Sequence, residues 1–478
     1  MRELLERLID AATGRADYID ARHLRARRER LAVRNGAVHE VLSSESEGVG
    51  VRVRIGGAWA FATARGSSRK EAESALAWAL DVAAGQARVP GAPLAPEPAA
   101  QGTWASPVER DPFEVALDEK LSTLTAAAKA LRERPEVAVA TARFQAFRTD
   151  KAFASSEGAY CEQRLTECGG EIAASAVGEF ETQVRSYPAS HGGGVAQAGY
   201  EHFAALRLPE EAPRVADEAV ALLQAPACPA GETTLILARE QLGLQIHESV
   251  GHAIELDRVL GREASYAGTS YVSADSAGSY RVGSRLMNIT ADATVARGLG
   301  SFRWDDEGVE GQAVPIVREG VLQGFLSSRE TASEIGLERS GGCMRADGFA
   351  RQPIVRMTNV NLEPGQAGTL DDLIGDTDRG ILIDTNRSWS IDDRRLRFRF
   401  EGEAAWEIVD GRPTRLLRNP SYAGVTPEFW SGLDAVCSPS EWRLSSLTDC
   451  GKGEPGQWGH VSHGSAPARF RGVEAGVA

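Results

Sequence analysis

Between residues 88 and 112 the chain reads RVPGAPLAPEPAAQGTWASPVERDP, with six prolines and no apolar period. Proline fixes φ and removes a backbone donor, so this stretch fits neither a helix interior nor a central strand and is expected to run extended over the surface. It cuts the 478 residues into units, as a prior of roughly 100 to 200 residues per domain also requires. The expected division is an N-terminal α+β domain over 1–87, a connector over 88–112, a middle α+β region over 113–225 and a larger β-rich domain over 226–478.

Ahead of the connector, Leu4, Leu5, Leu8, Ile9 and Ala12 fall on one helical face. Charges through these first turns leave no apolar signal region or membrane anchor. Short β-prone runs follow at 30–34, 37–42, 48–54 and 58–62, joined by Asn35-Gly36 and Gly56-Gly57, both hairpin signals. A helix is expected over 68–84, stopping at Gly85. Beyond the connector a helix at 118–133 and strands at 137–148, 161–176 and 179–187 predict a second sheet. A strand at 233–237 then feeds a helix starting near Arg239, and later strands are expected at 280–294, 312–317, 321–326 and 396–409.

With 67 acidic against 53 basic residues the net charge is −14, which disfavours nucleic acid or an anionic membrane as partner. Arg25, Arg27, Arg28 and Arg30 alternate with Leu24, Glu29 and Leu31, a pattern read as a solvated amphipathic face. Six cysteines are too sparse for a disulfide scaffold and are expected as thiols or metal ligands in a reducing, cytoplasmic setting.

The chemistry concentrates in the helix after Arg239. His247, Glu248 and His252 form H-E-x-x-x-H, one residue longer than the zinc-peptidase H-E-x-x-H. On a regular helix residues five apart point about 140° from each other, against about 40° for residues four apart, so the two histidines would miss a common ion. A π-turn brings five-apart residues back to roughly 50°. The helix is therefore expected to be widened or broken between His247 and His252, with Gly251 easing the deformation.

H-E-S-V-G-H resembles the signature of the TldD/PmbA family of metallopeptidases, in its catalytic TldD-like branch. VRNGAVHEVLSSESEGVGVRV, DEGVEGQAVPIVREGVLQGFLSS, QPIVRMTNVNLEPG and the CGKG at 450–453 look like family blocks in family order, spanning nearly the whole chain. The resemblance implies His247, His252 and Cys450 as metal ligands and Glu248 as general base. Three protein ligands leave zinc an open position for water, and a thiolate with two imidazoles favours zinc over magnesium or calcium without excluding iron. It also implies cleavage of short or unfolded peptides, including maturation of peptide precursors, and a homodimer or a heterodimer with a PmbA/TldE-like non-catalytic relative. The competing implication is a non-enzymatic partner or regulator of the kind labelled a DNA gyrase modulator.

Other readings stand beside these. His460 and His463 add two donors after Cys450, so a structural zinc knuckle of Cys450, His460 and His463, with Cys437, is an alternative. The histidines of the motif are alternatively hydrogen-bonded core residues, and Cys450 a buried inert thiol. Arg351, Arg356 and Asn359 are candidates for holding substrate backbone or a terminal carboxylate, against ordinary ion pairing. Asp305, Asp306, Glu307 and Glu310 read equally as a solvated acidic turn.

Overall fold

The computed structural model describes residues 1–86 and 91–476, so the boundary expected at 87–88 lies outside the described residues. The N-terminal helix α1 (Arg2–Ala12) precedes a hairpin of two long strands, β1 (Tyr18–Arg34) and β2 (Ala37–Ile55), and then β3 (Ala58–Arg65). Asn35 and Gly36 both have positive φ, as do Gly56 and Gly57, the backbone twist that two-residue hairpins demand. The strands run far beyond the short segments expected. Arg25 and Arg30 pair across the hairpin with Glu45 and Glu40, so the basic run is the exposed part of a strand and not a separate face.

Helix α2 (Arg69–Gln86) passes through Gly85 instead of stopping there. After it, β4 (Gln101–Ala105) lies within the proline-rich connector and pairs in parallel with β6 (Tyr160–Val177). Extended backbone with free donors at a sheet edge is drawn into pairing wherever proline leaves room. Helix α3 (Leu117–Leu131) leads to β5 (Val137–Ser155), which pairs with β1 along 15 consecutive positions.

The two regions expected to hold separate sheets therefore share one. Its order is β3-β2-β1-β5-β6-β4, with β7 (Thr182–Tyr187) and β8 (Val195–Ala196) also on β6. Helices α1 and α2 cover one end through Leu5, Leu8, Leu76 and Leu80. The other end is covered by α3 and by α5 (Leu208–Gln224), which follows a short α4 (Tyr200–Ala205), through Leu124, Leu131, Val215 and Ala219.

From β9 (Gly231–Leu237) onward the chain builds a seven-stranded sheet. Its order is Arg379–Ile391, β9, Ala468–Ala475, Ser421–Val425, Arg397–Val409 and Arg412–Leu417, with Leu433–Val436 also on Ala468–Ala475. Arg379–Ile391 also pairs with Arg397–Val409, so the sheet closes on itself. Of the region expected as a strand at 280–294 only Ile289–Asp292 is one. It sits in a four-stranded sheet with Ala313–Arg318, Val321–Leu322 and Asn359–Leu362. The fold is α+β as expected.

Candidate metal centre

β9 ends in Leu235, Ile236 and Leu237, all fully buried, and helix α6 (Arg239–Ile246) starts two residues later. Every residue of α6 from Gln241 to Ile246 is buried. Tyr422 grips it from the closed sheet, accepting from Gln241 Nε2 at 3.1 Å and donating to Gln245 Oε1 at 2.9 Å. The helix is thus a rigid strut, and the metal motif begins where it ends.

His247–Gly251 is π-helical and His252–Ile254 is a 3₁₀ turn. The widening required by the five-residue spacing is present, and it brings the His247 and His252 rings to 4.7 Å between centroids. Gly251 serves a purpose other than the one expected. Its φ of −53° is ordinary helix, but a Cβ there would lie 2.3 Å from Met357 Sδ, so what is needed is the missing side chain.

Cys450 arrives from the strand Arg443–Lys452, which pairs with Gln457–Ser465. Its Sγ lies 3.6 Å from His252 Nε2. The donor atoms of His247, His252 and Cys450 all lie within 4.8 Å of one another, the one such group of His, Cys, Asp or Glu found among the described residues. All three residues are buried, as is Glu248 at 5% exposure.

The hydrogen bonds around the cluster decide which nitrogens are left over. His463 Nδ1 lies 2.8 Å from the Val360 carbonyl oxygen, which only accepts, so Nδ1 carries the proton and Nε2 is a lone pair. That Nε2 is 2.8 Å from His247 Nδ1, which must donate to it. His247 Nε2 is then unprotonated. His252 Nδ1 donates to Glu255 Oε2 at 2.9 Å, and His252 Nε2 is likewise freed. Fixing a ligand's tautomer through its far nitrogen is a recurrent outer-shell device.

Electrostatics point the same way. Burial pulls both His247 and His252 below the usual imidazole value, His252 strongly, and brings His463 down to about 3. Burial alone would raise the Cys450 thiol, but the Arg356 charge and the His252 hydrogen bond outweigh it and the net shift is downward. Two neutral imidazoles and an acidified thiol are the donor set zinc takes. The residues present fit that ion.

The remaining candidates fall elsewhere. Arg356 is buried behind Cys450, donating to the Cys450 and Gln457 carbonyls. Asn359 is fully buried, with its amide spent on Gly300 N, Asp292 O and Ser301 Oγ. Arg351 is half-buried, and its carbonyl receives Arg22 Nη2 at 2.9 Å. The structure does not bring these three together as a substrate contact.

Asp305, Asp306 and Glu307 are buried and not a solvated turn. Asp306 pairs with Lys151 and Glu307 with Arg52, tying the loop before Ala313–Arg318 to the N-terminal sheet. The knuckle does not assemble either: His460 pairs with Glu167 and meets Phe147 edge to face, while His463 serves His247.

Residues the sequence did not single out complete the site. Glu255 follows His252 by three positions, a spacing that alone suggests a carboxylate behind a ligand histidine. Lys452 Nζ donates to both Asp257 oxygens at 2.7 and 2.8 Å and to the Val355 carbonyl, pinning the Cys450 strand to the motif segment. Arg395 pairs with Glu248.

Three family models tile the chain: PmbA/TldA metallopeptidase domain 1 over 19–83, the central domain over 110–225 and the C-terminal domain over 230–475. The chain belongs to the TldD/PmbA family. It is 30% identical to a metalloprotease of Methanocaldococcus jannaschii over 94% of each chain. It is 26% identical to a zinc metalloprotease TldD homolog of Saccharolobus solfataricus over 52% of each.

Two crystal structures share the fold over 99% of each chain. TldE from Thermococcus kodakarensis matches with a TM-score of 0.74 at 16% identity. A Thermotoga maritima protein described as a DNA gyrase modulator matches with 0.75 at 17%. No helix among the described residues is long and apolar enough to cross a membrane.

Proposed function

We propose that this TldD/PmbA family member is a zinc-dependent peptidase acting on short or unfolded peptides. One observation carries the reading: two histidine Nε2 lone pairs and the Cys450 sulfur converge while every other ring nitrogen of the ligand histidines is already committed. Within the cluster these atoms face one another, Cys450 Sγ lying 3.6 Å from His252 Nε2, which is the arrangement of a ligand set around one ion.

His247, His252 and Cys450 would hold the ion. When bound there, zinc supplies Lewis-acid polarisation of a carbonyl and acidification of water. Glu248 accepts the proton of the attacking water and returns it to the leaving amine. The burial of all four residues supports a reading in which the substrate is an extended segment and not a folded protein, as in peptide-precursor maturation or removal of unfolded chain. All six cysteines are free thiols, which supports a cytoplasmic setting. The fold shared with TldE supports a homodimer or a heterodimer with a TldE-like relative.

The test is metal content by elemental analysis on the native protein and Cys450→Ser, with cleavage of an unstructured peptide followed with and without chelator and in Glu248→Gln. About one zinc per chain, lost in the serine variant, with chelator-sensitive cleavage abolished by Glu248→Gln, is the expected result. Undiminished cleavage by Glu248→Gln would sink the mechanism. A protein without metal or cleavage, even with added zinc and partner, would favour the non-enzymatic regulator instead.

A further inference from the structure

Three guanidinium groups border the cluster, and they differ in what they can reach. Arg356 lies behind Cys450 at 2% exposure, donating to backbone carbonyls. Arg258 lies behind Glu255 with its side chain 1% exposed, donating to Ala267 O. Both are sealed within the fold. Arg395 pairs with Glu248 Oε2 through Nη1, and its side chain is 17% exposed. Its Nε, like that of Arg356 and Arg258, is buried without a hydrogen-bond partner, so it is the exposure of the side chain that sets Arg395 apart.

The backbone beneath Arg395 is held firmly. It has a φ of +61° in the turn between Arg379–Ile391 and Arg397–Val409. The Asp392 carboxylate accepts from Leu396 N and Arg397 N, and Thr426 Oγ1 donates to the Arg395 carbonyl. The positive charge lies directly against Glu248. Such a donor, fixed at its root and open at its tip, is suited to charge that develops beside Glu248.

Resting on the peptidase reading above, we propose that Arg395 is a catalytic residue that donates a hydrogen bond to the oxyanion formed when water adds to the peptide carbonyl beside Glu248. As the water oxygen bonds to the carbonyl carbon, its proton passes to Glu248 and the carbonyl π pair moves onto oxygen, where Arg395 meets it. Collapse re-forms C=O, breaks C–N and delivers the Glu248 proton to the amine. Arg395 loses no proton in either step.

The experiment uses the full-length, zinc-loaded protein, with Arg395→Met and Arg395→Lys beside wild type. It records kcat and KM on an unstructured peptide, zinc content, and calorimetric affinity for a peptide whose scissile amide is replaced by a phosphonate. Expected are a fall in kcat of about 100- to 1000-fold in Arg395→Met, KM within about threefold, zinc retained, and phosphonate affinity falling in step with kcat. Arg395→Lys should recover part of both.

Wild-type cleavage with unchanged or increased kcat in Arg395→Met would overturn this role alone, as would a loss confined to KM. Phosphonate affinity indifferent to the substitution would do the same. Absence of zinc-dependent cleavage by the wild type would overturn the peptidase reading and this role together.

Discussion

Arg185 and His252 are both buried polar side chains at the centre of ionic clusters, yet they leave opposite remainders. Arg185, on β7, spends its guanidinium on three carboxylates: Nε on Glu218 at 2.8 Å, Nη2 on Asp384 at 2.8 Å and Nη1 on Glu403 at 3.4 Å. Ser186 adds its amide and hydroxyl to Glu403. Nothing is left for a ligand, and the cluster ties the N-terminal sheet to the closed sheet. His252 is anchored on one nitrogen only, and its other nitrogen faces a thiol. Burial and charge alone therefore do not set the two clusters apart; what does is that in the second the ligand-type atoms of His247, His252 and Cys450 converge on one another, within 4.8 Å.

The sharpest way to break this contrast is to remove the unspent groups. Glu248→Gln should lower kcat by about 1000-fold or more while zinc content stays near stoichiometric. Cys450→Ser should lose both metal and activity. Neither should change unfolding as much as a substitution in the Arg185 cluster. Arg185→Met strands three carboxylates, and urea denaturation should show a loss of about 3 kcal/mol with metal content intact. A zinc-depleted Arg185→Met would show the two clusters to be coupled.

His463→Phe and Glu255→Gln each remove the partner that holds a ring of the cluster in its tautomer. Each should weaken zinc binding by about 10- to 100-fold in competition with a chromophoric chelator. The larger loss should come from Glu255→Gln, because a carboxylate raises ligand basicity and a neutral imidazole does not. Equal affinity in His463→Phe and wild type would remove His463 from the metal's support.

The smallest effect belongs to Glu403. Burial raises its pKa from 4.5 to about 7, against the opposing pull of Arg185 and Ser186; Asp384 and Glu218 also face this cluster. The stability contributed by the protonated form is present below about pH 4.5 and lost as pH rises through about 7. Glu403→Gln should therefore gain stability relative to wild type across that window, on the order of 1 kcal/mol, read from denaturation curves at each pH.

Much of this was legible because it is local. The Asn35-Gly36 turn, the strand expected at 233–237 and the break after His247 follow from turn chemistry, a short apolar run and helix geometry. Sheet partnership was not: β5 joins β1 across more than 100 residues, and no pattern in either strand names the other. The long strand Arg379–Ile391 escaped because its exposed half, from Arg387 to Ser390, blurs the apolar run. In the site, the proposed ligands were singled out by motif and family resemblance, and Glu255 was within reach of spacing. Arg395 and the role of His463 depend on contacts made across 147 and 216 positions, which only the folded chain reveals.

The distance along the chain between His252 and Cys450, 198 positions, has a meaning for biosynthesis. During translation both histidines are made long before the sulfur that joins them. The strand Ala468–Ala475, which follows Cys450, must then insert between β9 and Ser421–Val425. A nascent chain stalled anywhere in that interval holds two of the three residues of the cluster and no thiolate. The order of synthesis thus leaves the proposed metal site open until the last strands of the chain have been made.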